Sequence, residues 1–254
     1  MILLVGVVNV AWSQDQQDSI QTRRLDEVVI KGQQEVNVER LPDISGTRIW
    51  SGQKNEVLNV TNLDANIAEK TARQVFAKVP GVFVYDMDGT GNQINIATRG
   101  LDPHRGWEFN IRRNDAITNS DMYGYPASHY SMPMEAVARI QLVRGTGSLQ
   151  YGAQFGGMLN YISKSADTTR QIGFESVNSV GSFGLLSTYN AIGGRVGKVD
   201  YYVYYSKRVS EGYRDNGDTD ASAASAMITY RPSKSVTLAR KSPIPSIYTT
   251  YLVR

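Results

Sequence analysis

Residues 137–164 carry two short alternating stretches, 139–143 and 158–163, on either side of a glycine-dense segment. Gly145, Gly147, Gly152, Gly156 and Gly157 all fall between or beside them. Glycine lacks a Cβ, so it admits positive φ and lets one backbone pass close to another. A segment with this much glycine between two strands must be folded tightly. That constraint fixes the centre of the chain before anything else is known about it.

The bulk composition excludes several classes. At 254 residues the chain has room for one large or two ordinary domains, and 41% hydrophobic with 20% charged residues is the balance of a folded protein. A net charge of +3 gives no clustered basic face, so no nucleic-acid partner is expected. The absence of cysteine removes disulfides, thiolate metal sites and cysteine nucleophiles, and two histidines, His104 and His129, cannot build a histidine-rich metal site alone. Tyrosine is the outlier, with 15 against 6 Phe and 3 Trp. Its apolar ring and polar tip suit membrane interfaces and chelate- or sugar-lined pockets.

The first residues read as a leader. Residues 2–12 are an apolar run too short to span a bilayer as a helix, with Ala11 and Ser13 at the small-residue positions of a cleavage site before Gln14. Only Met1 precedes the run, so the usual basic start is missing, and a buried strand is the alternative. Residues 1–13 are therefore expected to be a signal peptide. With no run of ~20 apolar residues elsewhere, any membrane insertion must use strands.

After a polar stretch, Leu25, Asp26, Glu27, Val28, Val29 and Ile30 form a β-prone cluster standing alone within an extension over 14–40. A lone strand leaves its edges unpaired and invites a strand from another chain, although it could equally open the next domain. Residues 62–79 read as a helix, with Thr61 or Asn62 as cap, Ile67, Thr71, Val75 and Val79 at four-residue spacing, and Pro80-Gly81 as the stop. Strands are predicted at 82–85 and 93–98, and across 109–117 with a turn at Asn114-Asp115. A long loop over 119–134 and a helical turn near 133–138 precede the glycine-dense segment. Short mixed strands with little helix and no βαβ repeat argue for an α+β unit over 41–165.

From residue 170 the pattern changes to segments of about ten residues with period-two alternation, as expected of barrel strands. Tyr201, Val203, Tyr205 and Val209 fall on one face, and Asp200, Ser206, Arg208 and Ser210 on the other. Ala224, Ala226, Ile228 and Tyr230 alternate with Ser225, Met227, Thr229 and Arg231. Gly197-Lys198 reads as a tight turn and 212–220 as a longer polar loop. The same alternation also fits a soluble β-sandwich. Residues 241–254, with Pro243 and Pro245, depart from the pattern and are expected to lie outside any strand.

Four motifs stand in order: Val79-Pro80-Gly81-Val82, Thr98-Arg99-Gly100-Leu101, the run from Arg139 to Gly145, and Tyr151-Gly152 continuing through Gly156-Gly157 to Ile162. Together they resemble TonB-dependent outer-membrane receptors, a resemblance covering about residues 25–240 with the plug at 41–165. The resemblance implies an α+β plug of small mixed sheet and short helices, followed by the first antiparallel strands of an incomplete transmembrane β-barrel at 166–240. It makes 25–30 the TonB box, recruited by TonB through strand addition. It implies outer-membrane localisation, with import of a ferric chelate in which iron is cargo rather than cofactor.

The loop Asp88-Gly89-Thr90-Gly91 and Tyr123-Gly124-Tyr125-Pro126 look most like the iron(III) dicitrate transporters. Thr90 matches a ligand-contacting threonine of that subfamily. Tyr125 stands where the subfamily has a glutamine contact. An anionic chelate needs cations and hydrogen-bond donors, which makes Arg112, Arg113 and His129 candidate ligand contacts. Arg99, Arg139 and Arg144 are assigned to structural ion pairs with the barrel wall. Another siderophore, haem, or a soluble secreted β-rich binding protein are the competing readings. Barrels of this family have on the order of 22 strands, so the chain is expected to be truncated and inactive alone.

Nothing in the chain points to catalysis. It has no Gly-x-Ser-x-Gly, His-Glu-x-x-His or phosphate-binding Gly-Lys-Ser/Thr motif, and Gly145-Thr146-Gly147 lacks the βαβ unit of a dinucleotide loop. Asp86, Asp88 and Asp102 read as turn-capping aspartates. The expectation is a non-enzyme.

Overall fold

Alternation on the strands dictates two different kinds of sheet in the computed structural model, which describes residues 38–45, 48–50, 54–62, 72–76, 79–85, 95–103, 109–118, 132–145, 156–212, 217–233 and 237–244. All of these fall in one compact unit, residues 36–254.

The first sheet has six strands: β1 (Val38–Glu39), β4 (Asn55–Asn59), β9 (Val137–Arg144), β10 (Gly157–Ser163), β7 (Phe109–Arg113) and β8 (Ala116–Ile117), in that spatial order. Only the β10–β7 pairing is parallel. Two hairpins stand apart from it, β2 (Ile44–Ser45) with β3 (Arg48–Ile49), and β5 (Val82–Tyr85) with β6 (Asn95–Thr98). The registers Leu58↔Ile140↔Tyr161 and Glu56↔Leu142↔Leu159 put these residues on one face. There Leu58, Ile140, Leu142 and Leu159 are sealed from solvent with Phe109 and the helix-side residues Val75, Phe76 and Val79. On the opposite face Val57, Val143 and Met158 form a separate small core with Leu41 and Trp50.

The described helix, α1 (Ala72–Phe76), occupies the later part of the helix expected over 62–79. Val60–Asn62 form a 3-10 turn, so Asn62 closes a turn there. The Val79 amide donates to the Phe76 carbonyl at 3.0 Å and Gly81 follows at φ +72°, which ends the helical path at the Pro-Gly pair. The glycine-dense segment meets its constraint at Gly157: a Cβ there would lie 1.9 Å from the carbonyl oxygen of Val143.

The second sheet is a meander of five antiparallel strands: β11 (Gly173–Val180), β12 (Leu186–Val196), β13 (Val199–Ser210), β14 (Thr219–Tyr230) and β15 (Leu238–Ile244). Its outer face is apolar and exposed, while its buried inner face mixes polar with aromatic side chains. Asp200, Ser206 and Arg208 are buried on the inner face of β13, while Val203 and Tyr205 are exposed on the outer one. Phe174, Ile192, Val196, Ile228, Tyr230 and Leu238 are also exposed. An exposed apolar face opposite a buried one that holds charged and hydroxyl groups is the pattern of a strand with lipid outside and a filled lumen within. Gly197 turns at φ +59° between β12 and β13, and the longer connection at 211–218 is where a polar loop was expected.

One expectation is corrected. The strands do not stop at residue 240: β15 continues through Lys241, Ser242 and Pro243, paired with Met227, Ala226 and Ser225 of β14. Among the described residues β15 is an edge strand, and an edge tolerates proline because one row of its N–H groups meets no partner.

Candidate functional site

The inner face of the second sheet presents tyrosines to the first. The core that begins at Leu58 and Ile140 runs on without a break into Tyr189, Ala191, Tyr202, Tyr204 and Ala223 of the meander. The Tyr189 and Tyr202 hydroxyls lie 2.7 Å apart, and the Tyr189 and Tyr204 rings are tilted by 32° with centroids 5.5 Å apart. Gly193 makes this possible, since a Cβ there would stand 2.7 Å from the Tyr202 ring. Arg113 of β7 donates from Nη2 to the Tyr204 hydroxyl at 3.2 Å. Lys164, one residue beyond β10, donates to Glu175 Oε1 at 2.5 Å and stands 5.9 Å above the Tyr189 ring. Burial against the same core pushes the Tyr161 hydroxyl's pKa above its ordinary value.

The β7–β8 turn is built on the Asn-Asp step seen in the sequence. Asn114 and Asp115 have φ of 47° and 72°, the positive values that a two-residue hairpin turn requires. The turn is tied down by buried amides. Asn160, fully buried, donates to Asp115 Oδ1 at 2.7 Å and to Gln141 Oε1 at 2.8 Å, and accepts from the Asp115 amide at 3.0 Å. The Asn114 side-chain carbonyl accepts from both the amide and hydroxyl of Ser163 at 3.0 Å.

This arrangement separates Arg112 from Arg113. Neighbours on a strand face opposite ways. Arg112 folds back onto its own turn, donating to Asn110 Oδ1 at 2.8 Å and to the Asp115 carbonyl at 2.7 Å. Arg113 reaches the strand wall instead. The two are not brought together as a pair of cations facing one ligand.

The arginines assigned to wall contacts also part company. Arg144 makes an ion pair with Glu56 of β4 at 2.6 Å, inside the first sheet. Arg99 takes a left-handed φ of 59°, and its guanidinium lies over Gly145, where a Cβ would stand 2.7 Å from Nη1. Arg139 is exposed on β9. Thr90, Tyr125, His129 and the segment Leu25, Asp26, Glu27, Val28, Val29 and Ile30 lie outside the described residues.

Sequence reasoning did not single out Glu56, Lys164, Glu175 or the inward tyrosines. The signal for Tyr202 and Tyr204 was present: they share the parity of Asp200, Ser206 and Arg208. Glu56 and Arg144 are 88 residues apart and carry no local pattern. No group of three or more His, Cys, Asp or Glu among the described residues could hold a metal ion.

Comparison with known proteins agrees with this geometry. Residues 51–158 match the family model of the TonB-dependent receptor plug domain. Among solved structures, the chain is similar to the pyoverdine outer membrane receptor FpvA of Pseudomonas aeruginosa PAO1 (TM-score 0.58, 19% identity, 74% of this chain and 27% of that one). It is similar to the ferric citrate transporter FecA (0.57, 20%, 75% and 30%) and to the copper transporter OprC (0.59, 12%, 73% and 29%). The match thus spans less than a third of the length of each of these chains. The described residues have the fold of a TonB-dependent receptor plug domain followed by the antiparallel strands of a partial barrel.

Proposed function

We infer that this chain serves the energised import of a ferric chelate across an outer membrane, without catalysis of its own. In this reading a leader over residues 1–13 exports it, TonB adds a strand at residues 25–30, and the plug fills the barrel lumen. The observation that carries the reading is the meander, exposed apolar side chains outside and buried Asp200, Ser206 and Arg208 within, with the plug sheet packed on its inner face. Iron(III) dicitrate is the proposed cargo. Support for it is the match of Thr90 to the subfamily's ligand-contacting loop and the fold shared with FecA. The fold shared with the pyoverdine receptor FpvA keeps a different siderophore in play as the second reading.

Fractionation and titration test the two levels separately. The exported chain is expected at outer-membrane density, released only by detergent. Recovery as a clean soluble product would overturn the receptor reading in favour of a secreted binding protein. Detergent-purified chain titrated with iron(III) dicitrate is expected to show saturable quenching of its tryptophan fluorescence, and iron-free citrate none. Saturation with ferric pyoverdine or haem but not with dicitrate would replace the cargo and leave the receptor standing.

A further inference from the structure

Nine residues, 164–172, connect the last plug strand to the first wall strand, longer than the usual connection of about 4–6 residues. Here it is fastened along its length. The Lys164 amide donates to the Ala136 carbonyl at 2.8 Å, on the plug side. Its ammonium reaches the other way, to Glu175 of β11 and over the ring of Tyr189 of β12. Ala166 is buried in the shared core. Asp167 Oδ1 accepts from both the amide and hydroxyl of Thr169, at 2.9 and 2.6 Å, closing a local turn. The Arg170 carbonyl already accepts from the Arg195 amide at 2.8 Å, and the Gln171 carbonyl from the Tyr201 hydroxyl at 2.9 Å.

We propose that Lys164 is a pin that locks the plug's last strand to the wall, so that the connection is a rigid splice and not a tether. Its side chain is a charged link that crosses from the end of β10 to both β11 and β12. A plug held this way does not swing out about residues 164–172. Movement of the plug then has to arise in strands remote from β10, or has to break the Lys164–Glu175 pair first. The inference rests on the fold alone and is independent of which cargo the receptor carries.

Trypsin reads the connection directly, because Arg170 is 73% exposed by its side chain and sits within the splice. Protease cleavage needs local opening, so a rigid connection resists while a loose one is cut. The whole detergent-purified chain is digested, and the fragment ending at Arg170 is followed by mass spectrometry. The wild type is expected to resist cleavage after Arg170, Lys164→Met to accelerate it about tenfold, and Lys164→Arg to restore resistance. Sites after Arg195 and Lys207 are expected to keep their rates in all three. Rapid cleavage after Arg170 in the wild type overturns the proposal without any variant. So does Lys164→Met with no acceleration there, or with equal acceleration at Arg195 and Lys207, which would mean general loosening of the wall.

Discussion

Gly157 faces the carbonyl oxygen of Val143 across the β9–β10 ladder so closely that any Cβ would fall within 1.9 Å of it. Its φ of +122° adds a second reason for glycine at this position. The two effects act on the central strand pair, where no neighbour can yield without disturbing the core on both faces. Gly157→Ala is therefore expected to cost about 3 kcal/mol or more. Gly100→Ala provides the contrast: its φ is +73°, yet nothing lies within 4 Å of the added carbon, so only backbone strain of about 1 kcal/mol applies. Denaturant midpoints of the two variants should differ in that order. Equal midpoints would mean that the ladder shifts to accept the methyl.

Asn160 holds the β7–β8 turn and the β9 strand through one buried amide. Truncation strands Gln141 Oε1 and the Asp115 amide without their partner, so Asn160→Ala is expected to cost about 2 kcal/mol. Removing Gln141 as well should recover part of this, because its buried side-chain carbonyl is then no longer left without a donor. The Asn160→Leu, Gln141→Leu double variant is accordingly expected to be more stable than the sum of its single variants. Additive losses in a double-mutant cycle would contradict a coupled network.

Tyr204 gives Arg113 a neutral acceptor on the wall. Tyr204→Phe keeps the ring in the core and against Tyr189 while removing that acceptor. The expected loss is about 1 kcal/mol, as for one ordinary hydrogen bond. Tyr204→Ala should cost more, about 3 kcal/mol, because it also empties ring volume from the shared core. Phe and Ala variants of equal stability would show that the ring does not join plug and wall.

Local chemistry made part of this fold legible. The Asn114-Asp115 step gave the β7–β8 turn because two consecutive positive φ values suit asparagine and aspartate. The parity of Asp200, Ser206 and Arg208 against Val203 and Tyr205 separated the two faces of β13, and Gly197 gave its turn. What stayed illegible is non-local or depends on who the neighbour is. Parallel pairing of β7 with β10 sets Phe109 beside Gly157, far apart in the chain, and nothing in either strand encodes its partner. Arg144 and Glu56 sit two strand positions apart in space, and no local pattern announces the pair. Pro243 looked like a strand breaker because a sequence does not announce which strand will be an edge.

Alkaline pH tests the setting of Tyr161. Burial raises its pKa in the folded chain above the ordinary value of about 10 that it has when unfolded. Below pH ~10 both states keep the phenol proton, so this residue adds no pH dependence. Above that, the unfolded chain releases the proton while the folded chain retains it, and stability drains away as pH rises toward the folded value. Tyr161→Phe has no proton to lose. Both proteins share the other fourteen tyrosines, so subtracting their denaturant midpoints isolates Tyr161. The difference is expected to be constant up to pH ~10 and then to move in favour of phenylalanine. A constant difference up to pH ~11 would mean that the hydroxyl titrates as it does in water, and that the ring is not held against the plug core.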